Sequence, residues 1–142
     1  MGACTGIRKN AKILIVDDDD KSINLLKLNL EAYGFDVATA INGREGLDKA
    51  FSELPDAIIL DVRMPVLNGW QVCERLKKDP RVEAIPVVFL TAYSQKTDFE
   101  KSKKLGADLF LTKPLDPEEL VQKIRGILDL DSDNKILSDG GE

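Results

Sequence analysis

"KILIVDDDD", residues 12–20, sets four apolar residues directly before four aspartates. The apolar run is short and has no alternation, so it reads as a strand buried on both faces of a sheet. Like charges on neighbouring residues repel, and carboxylates resist burial unless something positive sits among them. A buried strand that ends in Asp17, Asp18, Asp19 and Asp20 therefore carries negative charge to a place where a cation must offset it. Asp19 or Asp20 also suits the N-cap of a helix over residues 22–33, which Gly34 would stop.

Working outward, the same alternation recurs. Strands are expected over 35–40, 56–61, 85–92 and 108–112. Helices are expected over 42–54, 68–78, 95–106 and 116–130. Asn42 caps the first of these helices, with Glu45 placed as in a capping box. "DP" at 79–80 ends the helix over 68–78, Gly106 closes the helix over 95–106, and Pro117 opens the last one. Five buried strands alternating with five helices imply one α/β domain with a doubly wound parallel sheet, joined by right-handed crossovers.

The chain has 142 residues, 43% hydrophobic and 32% charged, with a net charge of −5. That is room for one domain with a proper core. The acidic balance argues against direct nucleic-acid binding and against an acidic membrane surface. No apolar run reaches membrane length. "MGACTG" lacks the Ser or Thr a myristoylation signal needs, and no signal peptide follows. Cys4 and Cys73 form no metal or disulfide pattern, which suits a reducing, cytoplasmic setting. The sequence has no histidine, which excludes histidine-based catalysis and histidine metal ligands on this chain.

In a sheet of this kind, ligands sit at the carboxyl ends of the strands, where strand order reverses. Those ends carry Asp17, Asp18 and Asp19, then Asp61, then Thr91, with Lys113 just past the last strand. Alone, Asp61 reads as a loop residue, Thr91 as a strand threonine, Lys113 as surface charge and the aspartates as helix caps. Together they make a site for a hard cation such as Mg²⁺, which keeps several waters and takes one or two carboxylates plus a phosphate. Lys113 adds a second positive charge.

Four stretches, "KILIVDDDD", "DAIILDVRMPVLNGW", "IPVVFLTA" and "GADLFLTKP", resemble the receiver domain of a bacterial two-component response regulator. The resemblance covers roughly residues 11–130 and implies a flavodoxin-like fold with strand order 2-1-3-4-5. It implies that Asp61 is the phosphoacceptor, that Asp18 binds Mg²⁺ (or Mn²⁺) directly and Asp17 through water, and that the Arg63 carbonyl is a further ligand. Thr91 would donate its hydroxyl to a phosphoryl oxygen. Lys113 would pair with Asp61, and Pro114 would follow a cis peptide bond. Phe110 matches the switch aromatic. Asp19 fills a position that is often acidic, and Leu109 replaces an acidic residue common there. The implied partners are a sensor histidine kinase or histidine phosphotransfer protein and an output domain or protein target, with a homodimer on phosphorylation. Signalling would pass through the face of the fourth helix, fifth strand and fifth helix. Such a domain is a phosphoacceptor rather than an enzyme.

The chemistry fits these residues. A carboxylate attacks an activated phosphoryl donor, and the rest is positioning and electrostatics. Three rival readings stand beside it. Asp17 and Asp19 have the D-x-D spacing of a haloacid-dehalogenase-like phosphatase, but Lys21 and Ser22 follow where Gly and Thr are expected. A pseudo-receiver, a phosphorylation-independent binding module, usually lacks the acceptor, the lysine or an acidic residue, and all are present here. A flavodoxin needs a phosphate loop where four aspartates stand. In the receiver family the positions of Arg63 and Tyr93 vary and flank the opening over the phosphoryl group, so these bulky side chains are expected to shield it from water. Residues 1–10 and 131–142 are expected to be a flexible extension and an acidic flexible tail or linker.

Overall fold

The computed structural model describes residues 10–92 and 96–128. The end segments 1–9 and 129–142, and with them the expected extension and tail, lie outside the described residues. Strands β1 (Lys12–Val16), β2 (Asp36–Ala40), β3 (Ala57–Leu60), β4 (Val87–Thr91) and β5 (Leu109–Thr112) alternate with helices α1 (Asp20–Ala32), α2 (Gly43–Glu53), α3 (Gly69–Lys77), α4 (Lys96–Lys104) and α5 (Pro117–Leu128). The strands form one parallel sheet in the order β2-β1-β3-β4-β5.

The pleat sorts the strand side chains between two cores. Ile13 and Ile15 of β1, Ala57 and Ile59 of β3, and Val88 and Leu90 of β4 face α1 and α5, where Ile23, Leu30, Leu120, Val121 and Ile124 cover them. Their neighbours Leu14, Val16, Ile58, Leu60, Val87 and Phe89 face α2 and α3, meeting Leu47, Ala50, Val72, Cys73 and Leu76. Burial on both faces is why the central strands are continuous apolar runs. The expectation of five buried strands holds for β1, β3 and β4 only. Each edge strand has one neighbour, and β2 and β5 are mostly half-buried.

The helix ends follow from local hydrogen bonding. Asp19 caps α1 and accepts from the Lys21 amide. Asn42 Oδ1 accepts from the Glu45 amide at 2.8 Å, but Glu45 returns its bond to the Ile41 amide, one residue earlier than a capping box requires. The reciprocal box forms instead at α3, between Asn68 and Gln71. Gly34 and Gly106 stop α1 and α4 with φ of 96° and 94°, the left-handed region in which glycine costs least.

Candidate functional site

Register places the site. Val16 of β1 pairs with Leu60 of β3, so the next residue on each, Asp17 and Asp61, leave the sheet side by side. The ladder runs one step further on both: the Asp17 amide donates to the Ala40 carbonyl and the Asp61 amide to the Val16 carbonyl, at 3.1 and 3.0 Å. Across the sheet, the Lys113 amide donates to the Thr91 carbonyl at 2.8 Å. Four sequence-distant residues are thus pinned to one edge by backbone bonds.

Asp17, Asp18 and Asp61 each bring a carboxylate oxygen within 4.8 Å of the others'. Asp17 is buried, Asp61 half-buried and Asp18 exposed. Lys113 Nζ donates to Asp17 Oδ2 at 2.7 Å and to Ser22 Oγ at 3.2 Å. The implied pairing of Lys113 with Asp61 is therefore corrected here: the ammonium bonds Asp17, the most buried carboxylate and the one with most need of a cation. Lys113 still acts on Asp61 through space. Burial first, then the Asp17 charge, pushes the Asp61 pKa up from 3.8 to about 6, while Lys113 and a hydrogen bond from Thr91 pull it down. Asp61 Oδ1 is buried without a hydrogen-bond partner. Three clustered carboxylates, one with an unpartnered buried oxygen, are a donor set that fits a hard divalent cation.

Asp19 is spoken for as a cap, since Ser22 Oγ donates to its second oxygen at 3.2 Å. Thr91 is fully buried. The Lys113–Pro114 peptide bond is cis. Phe110 is half-buried, 6.4 Å from the Phe89 ring and edge-on to Phe99 at 5.8 Å. Arg63 turns along the molecule toward α4, with its guanidinium 3.4 Å from Asp98 and 5.8 Å from the Trp70 ring. Tyr93 lies outside the described residues. The loop after Asp61 makes a tight turn at Val66, where the Leu67 amide donates to the Pro65 carbonyl at 2.7 Å and φ is 71°. Gly69 closes that loop. A Cβ there would meet the Asp61 carbonyl oxygen at 2.2 Å, so only glycine lets α3 begin against the end of β3.

Sequence reasoning missed Ser22 and Asp98. Ser22 stands three residues after the cap, a spacing that returns a side chain to the loop and is the one signal for it. Asp98 in the first turn of α4 reads only as a charge that favours a helix start.

A family model described as the response regulator receiver domain matches residues 13–125. The chain is 43% identical over 119 residues to the alkaline phosphatase synthesis transcriptional regulatory protein PhoP of Bacillus subtilis, covering 84% of this chain and 49% of that protein. It is 42% identical over 118 residues to Protein PilH of Pseudomonas aeruginosa, covering 83% of this chain and 98% of that one. The first curated relatives are longer: this chain spans about half of their length or less. A crystal structure of a putative response regulator from Chloroflexus aurantiacus superposes with a TM-score of 0.81 at 37% identity, covering 84% and 98% of the two chains. The chemotaxis protein CheY4 of Vibrio cholerae gives 0.79 at 32%, covering 83% and 98%. Neither the phosphatase nor the pseudo-receiver reading is favoured by these likenesses. Among the described residues, no helix is long and apolar enough to cross a membrane. The fold, the strand-end cluster and these relatives agree: the chain belongs to the response regulator receiver domain family of two-component signalling.

Proposed function

We propose that Asp61 accepts a phosphoryl group from a phosphohistidine on a sensor kinase or phosphotransfer protein, and that this switches the face formed by α4, β5 and α5 toward an output domain or protein target. The observation that carries the reading is the convergence of Asp17, Asp18, Asp61 and Lys113 on one sheet edge. An Asp61 carboxylate oxygen bonds to phosphorus as the phosphorus–nitrogen bond of the donor breaks, and the leaving imidazole takes a proton. The histidine has to come from another protein, because this sequence contains none.

Asp18, Asp61 and the Arg63 carbonyl would hold Mg²⁺ or Mn²⁺, with Asp17 joined through water, and the ion would neutralise charge on the phosphoryl oxygens. Lys113, held by Asp17, stands ready to move to a phosphoryl oxygen. Thr91, now hydrogen-bonded to Asp61, would turn its O–H to donate to a phosphoryl oxygen instead. Withdrawal of Thr91 leaves room at the head of β4, and Phe110 on the neighbouring strand moves into it. This is a bias between two packings. A reducing cytoplasm suits the buried free thiol of Cys73.

NMR on the labelled protein tests the reading. Mg²⁺ with beryllofluoride should shift resonances around Asp61 and also those of Phe110 and α4. Shifts confined to the pocket would refute transmission, and no shifts at all would refute the site.

A further inference from the structure

Arg63 lies two residues after Asp61, yet its side chain is drawn to the start of α4. One guanidinium nitrogen lies 3.4 and 3.5 Å from the two oxygens of Asp98. Asp98 is 4% exposed, so its carboxylate is buried and in need of positive charge. The pair is one-sided and long against the usual distance for a charge-assisted bond. Trp70 of α3 lies beside it: its indole Nε1 donates to Ser102 Oγ at 3.0 Å, and Ser102 donates to the Asp98 carbonyl at 2.9 Å. Lys101 Nζ sits 4.2 Å from the centre of the same ring. α4 is therefore held near the acceptor by Asp98 with Arg63, and by Ser102 with Trp70.

A phosphoryl group on Asp61 would add a dianionic rival to the monoanionic Asp98 for Arg63, within reach of a flexible side chain. We propose that Asp98 is a positioning residue, which competes with the Asp61 phosphoryl group for the Arg63 guanidinium. This rests on the reading of Asp61 as acceptor. While Arg63 stays on Asp98, the phosphoryl group is open to hydrolysis: a water oxygen bonds to phosphorus, the bond to Asp61 breaks, Asp61 leaves as a carboxylate, and inorganic phosphate keeps the water's protons. When Arg63 moves over the phosphoryl group, it fills the approach of that water and releases the first turn of α4. By linkage, what tightens the Arg63–Asp98 pair weakens the hold on the phosphoryl group by the same factor.

The test loads the intact protein with acetyl phosphate and Mg²⁺, removes the donor, and follows phospho-Asp61 by intact mass in wild type, Asp98→Asn, Arg63→Asn and the double variant. Asp98→Asn should decay roughly fivefold more slowly, and the two variants lacking Arg63 should decay alike. Asp98→Glu should restore the wild-type rate. Decay of Asp98→Asn at or above the wild-type rate, or slowed equally without Arg63, overturns the proposal. Trp70 is the only tryptophan, so wild-type emission gives a second readout: beryllofluoride with Mg²⁺ should change it, and Arg63→Asn should abolish most of the change. Constant emission in the loaded wild type also overturns it. A wild type that takes no phosphoryl group on Asp61 overturns the acceptor reading together with this one, whereas normal loading with the wrong decay pattern overturns this one alone.

Discussion

Replacing Asp61 by Asn should stabilise the protein in chelator, by an amount that depends on pH. Asp61 is pushed up from 3.8 to about 6, chiefly by burial and then by the charge of Asp17. A shift of that size corresponds to about 3 kcal/mol between the two protonation states. Asp61 is only half-buried, and solvent screening leaves about 1–2 kcal/mol. The sign follows from proton counting. With its folded pKa above its unfolded one, the folded state binds more protons between about pH 4 and 6, so stability falls as pH rises through that window. Asn carries no charge and escapes the penalty. Urea unfolding in EDTA should therefore show the variant more stable by about 1–2 kcal/mol near pH 8, with the gap closing as the pH falls toward about 4. Saturating Mg²⁺ should narrow the gap from the other side, because it binds the wild-type cluster better. A gap that does not change with pH, or a variant less stable than wild type at neutral pH, would refute the electrostatic account of the site.

Other consequences follow from single contacts. Asp18→Ala should weaken Mg²⁺ binding in calorimetry far more than Asp19→Ala, because Asp19 is engaged with the Lys21 amide and Ser22; Asp19→Ala should instead cost about 1 kcal/mol of stability as a lost cap. Gly69→Ala should cost at least about 2 kcal/mol in urea unfolding and slow phosphorylation, since its Cβ would stand 2.2 Å from the Asp61 carbonyl oxygen. Gly126→Ala, in α5 with nothing within 4 Å of the added carbon, should gain about 0.5–1 kcal/mol by the same assay. Lys113→Met should cost about 2 kcal/mol by stranding Asp17, whose side chain is 3% exposed, and should move the pH window of Asp61 upward.

The order of apolar runs and amphipathic stretches made the sheet legible, because strands buried on both faces leave no choice but crossover helices. Asp17, Asp61, Thr91 and Lys113 were legible as a group for the same reason: a parallel sheet gathers every strand end on one edge. What stayed hidden was decided by distances of a few ångströms. Sequence could not say that Lys113 prefers Asp17 to Asp61, since that follows from which carboxylate is deeper. It could not separate Asp19 from Asp20 as the cap, or give the capping box to Asn68 and Gln71 rather than to Asn42 and Glu45. Nor could it show that Arg63 meets Asp98, thirty-five residues away in sequence, because pairing across two loops leaves no periodic trace.

As proposed above, Asp61 accepts the phosphoryl group with the help of a divalent ion. Intact mass after incubation with acetyl phosphate reads this transfer without an intermediary. The wild type should gain the mass of one phosphoryl group with Mg²⁺ and none with EDTA, and Asp61→Asn should gain none in either buffer. Equal phosphorylation of wild type and Asp61→Asn would contradict the assignment.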